Sequence, residues 1–140
     1  MENINNLPLV LSRSSRAADF ITGGQDSVAI RVPSSPIMRD VLQELCSLRD
    51  DPFSAIAAPS ANRFGGVSPT TAQHAIEEIG DRLTDDDVVL DAGPCAIGIE
   101  STIVDCTADR PRILRLGKVT VEDVEHATGM QLGGSSQVRA

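Results

Sequence analysis

The sequence predicts an α/β or α+β fold, a sheet with helices packed on it. Three observations point there. Short apolar runs of strand length recur along the chain. Two Ser-Pro pairs each open a stretch with apolar residues at helical spacing. Clusters of glycine, proline and aspartate punctuate the rest. The expected order is β-β-α-β-loop-α-β-β-β-α, with no internal repeat. A length of 140 residues fits one domain. Apolar residues make up 41% of the chain but aromatics only 2%, so the core must be aliphatic.

Residues 1–6 are polar and expected to be flexible. Leu7 to Leu11 reads as a strand, with Pro8 favouring its start or an edge. Ser12 to Asp26, with Gly23-Gly24, reads as a loop holding at most one helical turn. Ser27 to Val32 is a second strand ending at Pro33. Alternation puts Val28, Ile30 and Val32 on a core face, and Ser27, Ala29 and Arg31 on the other. Arg31 therefore points to solvent or into a cleft. Ser35-Pro36 is an N-cap with proline at the first helical position, followed by the stripe Ile37, Val41, Leu42, Leu45 and Leu48, with Cys46 at its margin.

Phe53 to Ala58 reads as a buried strand, and Ala57 to Thr71 (A-A-P-S-A-N-R-F-G-G-V-S-P-T-T) as a small-residue loop after it. Ser68, as N-cap before Pro69, would open a helix carrying Ala72, Ala75, Ile76 and Ile79 and stopping at Gly80. Strand, small-residue loop and helix N-terminus together suit an anion such as phosphate. Gly65 and Gly66 permit close approach, Ser60 and Ser68 add hydroxyls, and Arg63 adds charge. The stretch is neither a Walker loop nor a dinucleotide fingerprint. Asp85-Asp86-Asp87 reads as a solvated turn. Val88 to Leu90 is expected to be a short strand, Asp91 to Pro94 a turn, and Ile99 to Asp105 another strand. Ser101 lacks a G-x-S-x-G setting, which excludes a hydrolase triad. Arg112 to Leu116 is a last strand. Thr120 to Asp123 resembles a capping box and opens a helix ending near Gly129. Residues 130–140 are expected to form a disordered tail.

The net charge of -8 disfavours nucleic acid as a partner. Lys118 is the only lysine. Cys46, Cys95 and Cys106 are odd in number and widely spaced, and neither histidine has a paired ligand nearby, so reduced thiols and no zinc site are expected. No stretch reads as a secretory leader or a membrane span, and a cytoplasmic protein is expected.

Four blocks taken together are similar to a known family. They are S-V-A-I-R-V-P (27–33), A-P-S-A-N-R-F-G-G-V-S-P-T-T-A (58–72), L-D-A-G-P-C-A-I-G-I-E-S-T-I-V-D (90–105) and R-I-L-R-L-G-K-V-T (112–120). In this order the chain resembles the YrdC-like threonylcarbamoyl-AMP synthases over residues 7–129. The resemblance implies a twisted open mixed sheet with flanking helices. It implies synthesis of threonylcarbamoyl-AMP and pyrophosphate from L-threonine, bicarbonate and ATP, with Mg²⁺ expected on the triphosphate. The product would feed a downstream threonylcarbamoyl transferase in tRNA threonylcarbamoyladenosine modification, with tRNA or double-stranded RNA as a further partner. Carried over by position, Ser27, Ser60, Ser68 and Arg115 would bind ATP. Arg31, Ala58 and Ser101 would bind threonine, with Arg31 on its carboxylate.

The sequence also departs from the family pattern. The P-T-x-T-x-Y-G-L stretch and the lysine–arginine motif of the family's N-terminal half are missing, and Asn5-Asn6-Leu7-Pro8 replaces a Trp-Pro-Gly-Pro lead-in. Leu116 stands for the usual proline. The resemblance is therefore to the C-terminal part of the domain, as if truncated at the N-terminus. Alternative readings are a non-catalytic module binding nucleotide or double-stranded RNA, and a partner-dependent fragment of a split enzyme.

Overall fold

The structure, a computed structural model, describes residues 6–95 and 101–133. Expectations for residues 1–5, 96–100 and 134–140 lie outside the described residues. The chain divides into two compact units, Met1–Ser34 with Glu100–Ala140, and Ser35–Ile99.

The first unit is built on a sheet. Strand β1 (Leu9–Ser12) pairs antiparallel with β2 (Ser27–Ile30) and parallel with β3 (Ile103–Asp105). Strand β3 pairs antiparallel with β4 (Arg112–Arg115), giving the order β2-β1-β3-β4. The result is the expected open mixed sheet, with β2 and β4 at its edges. A four-residue helix α1 (Asp19–Thr22) interrupts the β1–β2 connection and ends at Gly23 in the left-handed region. Arg13 braces that connection through Asp19 and the Ala17 carbonyl. Helix α4 (Val121–Thr128) follows β4. Its capping box is complete: the Thr120 hydroxyl accepts from the Asp123 amide, and Asp123 accepts from Thr120. Thr120's amide, then its hydroxyl, hold the Asp123 carboxyl below its ordinary value. Gly129, at a φ of 67°, ends the helix as expected.

Register sorts the side chains. Leu9 lies opposite Ile30 on one side and Val104 on the other, and Val104 lies opposite Ile113. Cross-strand partners share a face, so these four form the apolar face. Val104, Val119 and Val124 form the buried cluster there, with Leu7, Cys106 and Leu132 packed against it. The core is aliphatic, as the composition requires. At the β2 end the same face is open: Ile30 is 50% exposed and Val32, beyond the strand, 62%. The expected face is right by register, but among the described residues nothing buries its outer end.

Thr102 is fully buried within this unit. Its hydroxyl donates to the Val119 carbonyl at 2.6 Å and accepts from the Gly117 amide at 2.8 Å, fastening the turn after β4 to the strand beside it. At the start of the stretch expected to be disordered, Leu132 donates to Glu125 and Gly133 to the Pro111 carbonyl, both at 2.8 Å. Residues 131–133 are thus held to the unit.

The second unit is helical. Helix α2 (Pro36–Arg49) starts as expected, with the Ser35 hydroxyl accepting from the Met38 amide and Pro36 in the first turn. It ends at Asp50, in the left-handed region at a φ of 49°. The stripe Val41, Leu42, Leu45 and Cys46 is half-buried, whereas Leu48 is 83% exposed. Helix α3 (Ala72–Ile79) runs into a 3-10 turn at Gly80–Arg82.

Two expectations fail here. Phe53–Ala58 and Val88–Leu90 are not strands but irregular backbone, and Phe53 is 70% exposed and Val88 78%. An apolar run becomes a strand only where a neighbour completes its hydrogen bonds, and the described residues of this unit contain no strand. The N-cap of α3 also moves, from Ser68 to Thr71, whose hydroxyl accepts from the His74 amide at 3.1 Å. The cause is the Thr70 carbonyl. It accepts from the Cys95 amide at 2.7 Å, and the segment before Thr71 stays outside the helix.

Candidate functional site

The sheet of the first unit carries three of the expected ligand residues on one face. Val10 lies opposite Ala29 and Asp105, and Ser12 opposite Ser27, so these residues occupy the face behind the aliphatic one. Arg31 continues the alternation from Ser27 and Ala29 one residue past β2. Its exposed guanidinium donates through Nε to the Asn6 side-chain oxygen at 2.8 Å.

Arg115 reaches this face through an irregularity. Asp105 lies opposite Arg112, Val104 opposite Ile113, and Ile103 opposite Arg115. One step along β3 therefore meets two steps along β4, and Leu114 is the extra residue of a β-bulge. In a regular ladder Arg115 would share the core face of Ile113. The bulge turns it to the face of Ser27 and Asp105. There its Nε donates to the Ser101 carbonyl at 3.0 Å, so Arg115 and Ser101 are brought together.

The one buried carboxylate among the described residues sits on this face and is fully engaged. Asp105 accepts from the Thr107 hydroxyl at 2.6 Å and the Thr107 amide at 2.9 Å, and both Nε and Nη2 of Arg112 approach its other oxygen at 2.9 Å. The Thr107 hydroxyl and amide, and after them Arg112, hold its carboxyl below the ordinary value against the opposing effect of burial. Neighbouring Cys106 is pushed up, first by burial and then by the Asp105 charge, so its thiol is a poor nucleophile. Asp105 is thus matched by Arg112, and the exposed Arg31 meets a neutral acceptor in Asn6.

In the second unit, Ala58, Ser60 and Ser68 lie exposed along the small-residue stretch. The segment between the serines is a tied turn. The Gly66 amide donates to the Arg63 carbonyl at 2.8 Å around Gly65, whose φ is 81°, the pattern of a type II turn. Asn62 Nδ2 bridges the carbonyls of Arg63 and Gly66 at 2.9 and 3.0 Å. Gly66 is packed closely enough that a Cβ would lie 3.0 Å from the Arg63 carbonyl oxygen.

Arg63 behaves otherwise than expected. It donates to the Glu78 carbonyl and pairs with Asp81, both at 2.8 Å, fastening the loop to the end of α3. It serves as a strut within the loop rather than as a charge presented to an anion. The first turn of α3 has no acidic residue to oppose an anion.

Residues 4–117 match the Sua5/YciO/YrdC family model, described as telomere recombination. The chain belongs to the Sua5/YciO/YrdC family. Within the family it is similar to the threonylcarbamoyl-AMP synthase of Pyrococcus abyssi, 38% identical over 123 residues, covering 88% of this chain and 33% of the relative. The enzyme of that name from Schizosaccharomyces pombe is 35% identical over 123 residues, with 88% and 28% covered. The one from Bacillus subtilis is 38% identical over 109 residues, with 78% and 29% covered. The chain thus spans about a third of the length of the curated relatives it matches. Among solved structures, P. abyssi Sua5 complexed with L-threonine matches with a TM-score of 0.71 at 36% identity, covering 96% of this chain and 38% of that one. A double variant of the same protein matches with a TM-score of 0.72 at 38% identity, covering 91% and 36%. The open mixed sheet is therefore a family feature.

Sequence reasoning passed over three residues that organise these sites. Asn62 builds the turn between the serines, and its signal is an asparagine three residues before a glycine pair. Asn6 holds Arg31. Leu114 makes the bulge, and nothing in R-I-L-R marks it.

Proposed function

We propose that this chain takes part in the synthesis of threonylcarbamoyl-AMP from L-threonine, bicarbonate and ATP, with release of pyrophosphate. The observation that carries this reading is the sheet register, by which Ser27, Arg31 and Arg115 fall on one face. Similarity to the L-threonine complex of P. abyssi Sua5 supports it. On this reading Arg31 grips the threonine carboxylate end-on, a match of planar fork to planar anion. In the sheet unit Ser101 would bound the amino acid, and Ser27 and Arg115 would bind ATP, by hydroxyl donation and by charge. In the helical unit Ala58, Ser60 and Ser68 keep the roles that the resemblance implies.

The chemistry asks little covalent help of the protein. The amine of threonine attacks the bicarbonate carbon, and a C–O bond breaks as water leaves, giving a carbamate. A carbamate oxygen then displaces pyrophosphate at the α-phosphorus, and the chain's part is to hold the two in line and balance the growing charge. Among the described residues no cluster of three or more His, Cys, Asp or Glu is placed to hold a metal. Mg²⁺ would enter on the triphosphate and neutralise its charge. No described helix is long and apolar enough to cross a membrane. On the family reading the chain would work in the cytoplasm beside a tRNA-modifying transferase.

The test is pyrophosphate release by the purified chain with ATP, Mg²⁺ and bicarbonate, with and without L-threonine, alongside calorimetric titration with L-threonine. Threonine-dependent release with saturable binding is expected. Absence of both from the folded chain would overturn the reading.

A further inference from the structure

We infer that Asn6 is a positioning residue that presents the end-on fork of Arg31 to a carboxylate, an inference that rests on the threonine reading above. The sheet register leads to it. Leu9 is opposite Ile30, so continuing the antiparallel ladder by one step sets Pro8 opposite Arg31. Asn6, two residues earlier, is then the diagonal neighbour of Arg31 on the same face, within reach of a long side chain. Proline has no polar side chain, so Asn6 is the nearest acceptor along that row.

The contact made is the selective one. A guanidinium offers two planar edges, one with Nε and one between the two Nη atoms. The Asn6 oxygen takes the Nε–H at 2.8 Å, and that orients the opposite, end-on edge outward. Asn6 is neutral, so it fixes direction without cancelling charge. It is also well anchored. Leu7 packs against the valine cluster, and the Pro8 carbonyl accepts from the Val104 amide at 3.1 Å. The acceptor thus hangs from the core, whereas Arg31 lies past the end of its strand and would otherwise sample many rotamers. Asn6 also belongs to the lead-in where this sequence departs from the family pattern, so the resemblance assigns it no role.

The experiment is calorimetric titration of the purified full chain with L-threonine and with L-threoninamide, which lacks the carboxylate. Wild type is expected to prefer L-threonine. Asn6→Ala should weaken L-threonine binding about 3- to 10-fold, the size of one modest hydrogen bond, and leave threoninamide binding unchanged. Asn6→Gln, which keeps a neutral amide acceptor, should recover part of the preference. Because Arg31 is exposed and Asn6 only partly buried, thermal midpoints should match, separating positioning from folding. Equal losses for both ligands, no loss for either, or Asn6→Gln behaving as Asn6→Ala would each overturn the inference while the threonine reading stands. A wild type that binds neither ligand would remove both.

Discussion

Every fully buried side chain among the described residues belongs to the sheet unit, and the helical unit has none. Both units have apolar residues in plenty. In the sheet unit, Val104 finds Leu9 on one strand and Ile113 on another, with Val119 and Val124 behind it. In the helical unit, the stripes of α2 and α3 reach only half-burial, and Phe53, Val88 and Leu90 lie on irregular backbone with most of their surface exposed. Hydrophobic pattern records which residues gain from burial. Whether they are buried depends on a partner surface, which the pattern does not encode.

Mutations should separate the two units. Ile113→Ala should have the largest effect, a loss of about 3 kcal/mol, because it opens a cavity beside the buried Val104. Ile76→Ala in α3, 44% exposed, should cost under about 1 kcal/mol. The chain has no Trp or Tyr, so urea unfolding followed by circular dichroism is the measurement. Similar losses at the two sites would erase the contrast.

Asp105→Asn should come next, at about 2 kcal/mol, discounted from a fully buried pair because Arg112 is half exposed. The same carboxylate sets an acid limit. Its pKa is lower in the folded chain than in the unfolded one, so its stabilisation is complete above the unfolded value of about 4 and is lost as pH falls through the folded value. Urea midpoints at descending pH should fall below about pH 4 in wild type, and by less in Asp105→Asn.

Thr120→Ala should cost about 1 kcal/mol by removing the capping box of α4. Gly65→Ala should have the smallest global effect, up to about 1 kcal/mol from strain at positive φ. It should appear as faster hydrogen exchange at the Gly66 amide, with the sheet unit unchanged.

Much of the fold was legible because it is written locally. The Ser35 cap, the Thr120–Asp123 box, the Gly129 stop and the alternation of Ser27 to Val32 each depend on residues within a few positions. The misreadings involve distant partners. The Thr70 carbonyl is taken by Cys95, so the cap moves to Thr71. Phe53–Ala58 and Val88–Leu90 have strand composition but no ladder. Arg63 looked available for an anion until α3 brought Glu78 and Asp81 beside it. At the candidate site, the residue types pointed to carboxylate and phosphate chemistry, but the common face of Ser27, Arg31 and Arg115 needed the register.

The extra residue at Leu114 also governs how β4 tolerates change in length. Side chains on a strand alternate, so with Leu114 lost the arginine would stand one place from Ile113. A regular ladder would then still set it opposite Ile103, on the Asp105 face. A single-residue gap here would straighten the strand and keep the guanidinium on its side. Closing the bulge without a deletion is what would send it inward. When related chains are compared, an arginine one place after the inward apolar residue and one two places after it behind a bulge are therefore equivalent in sidedness.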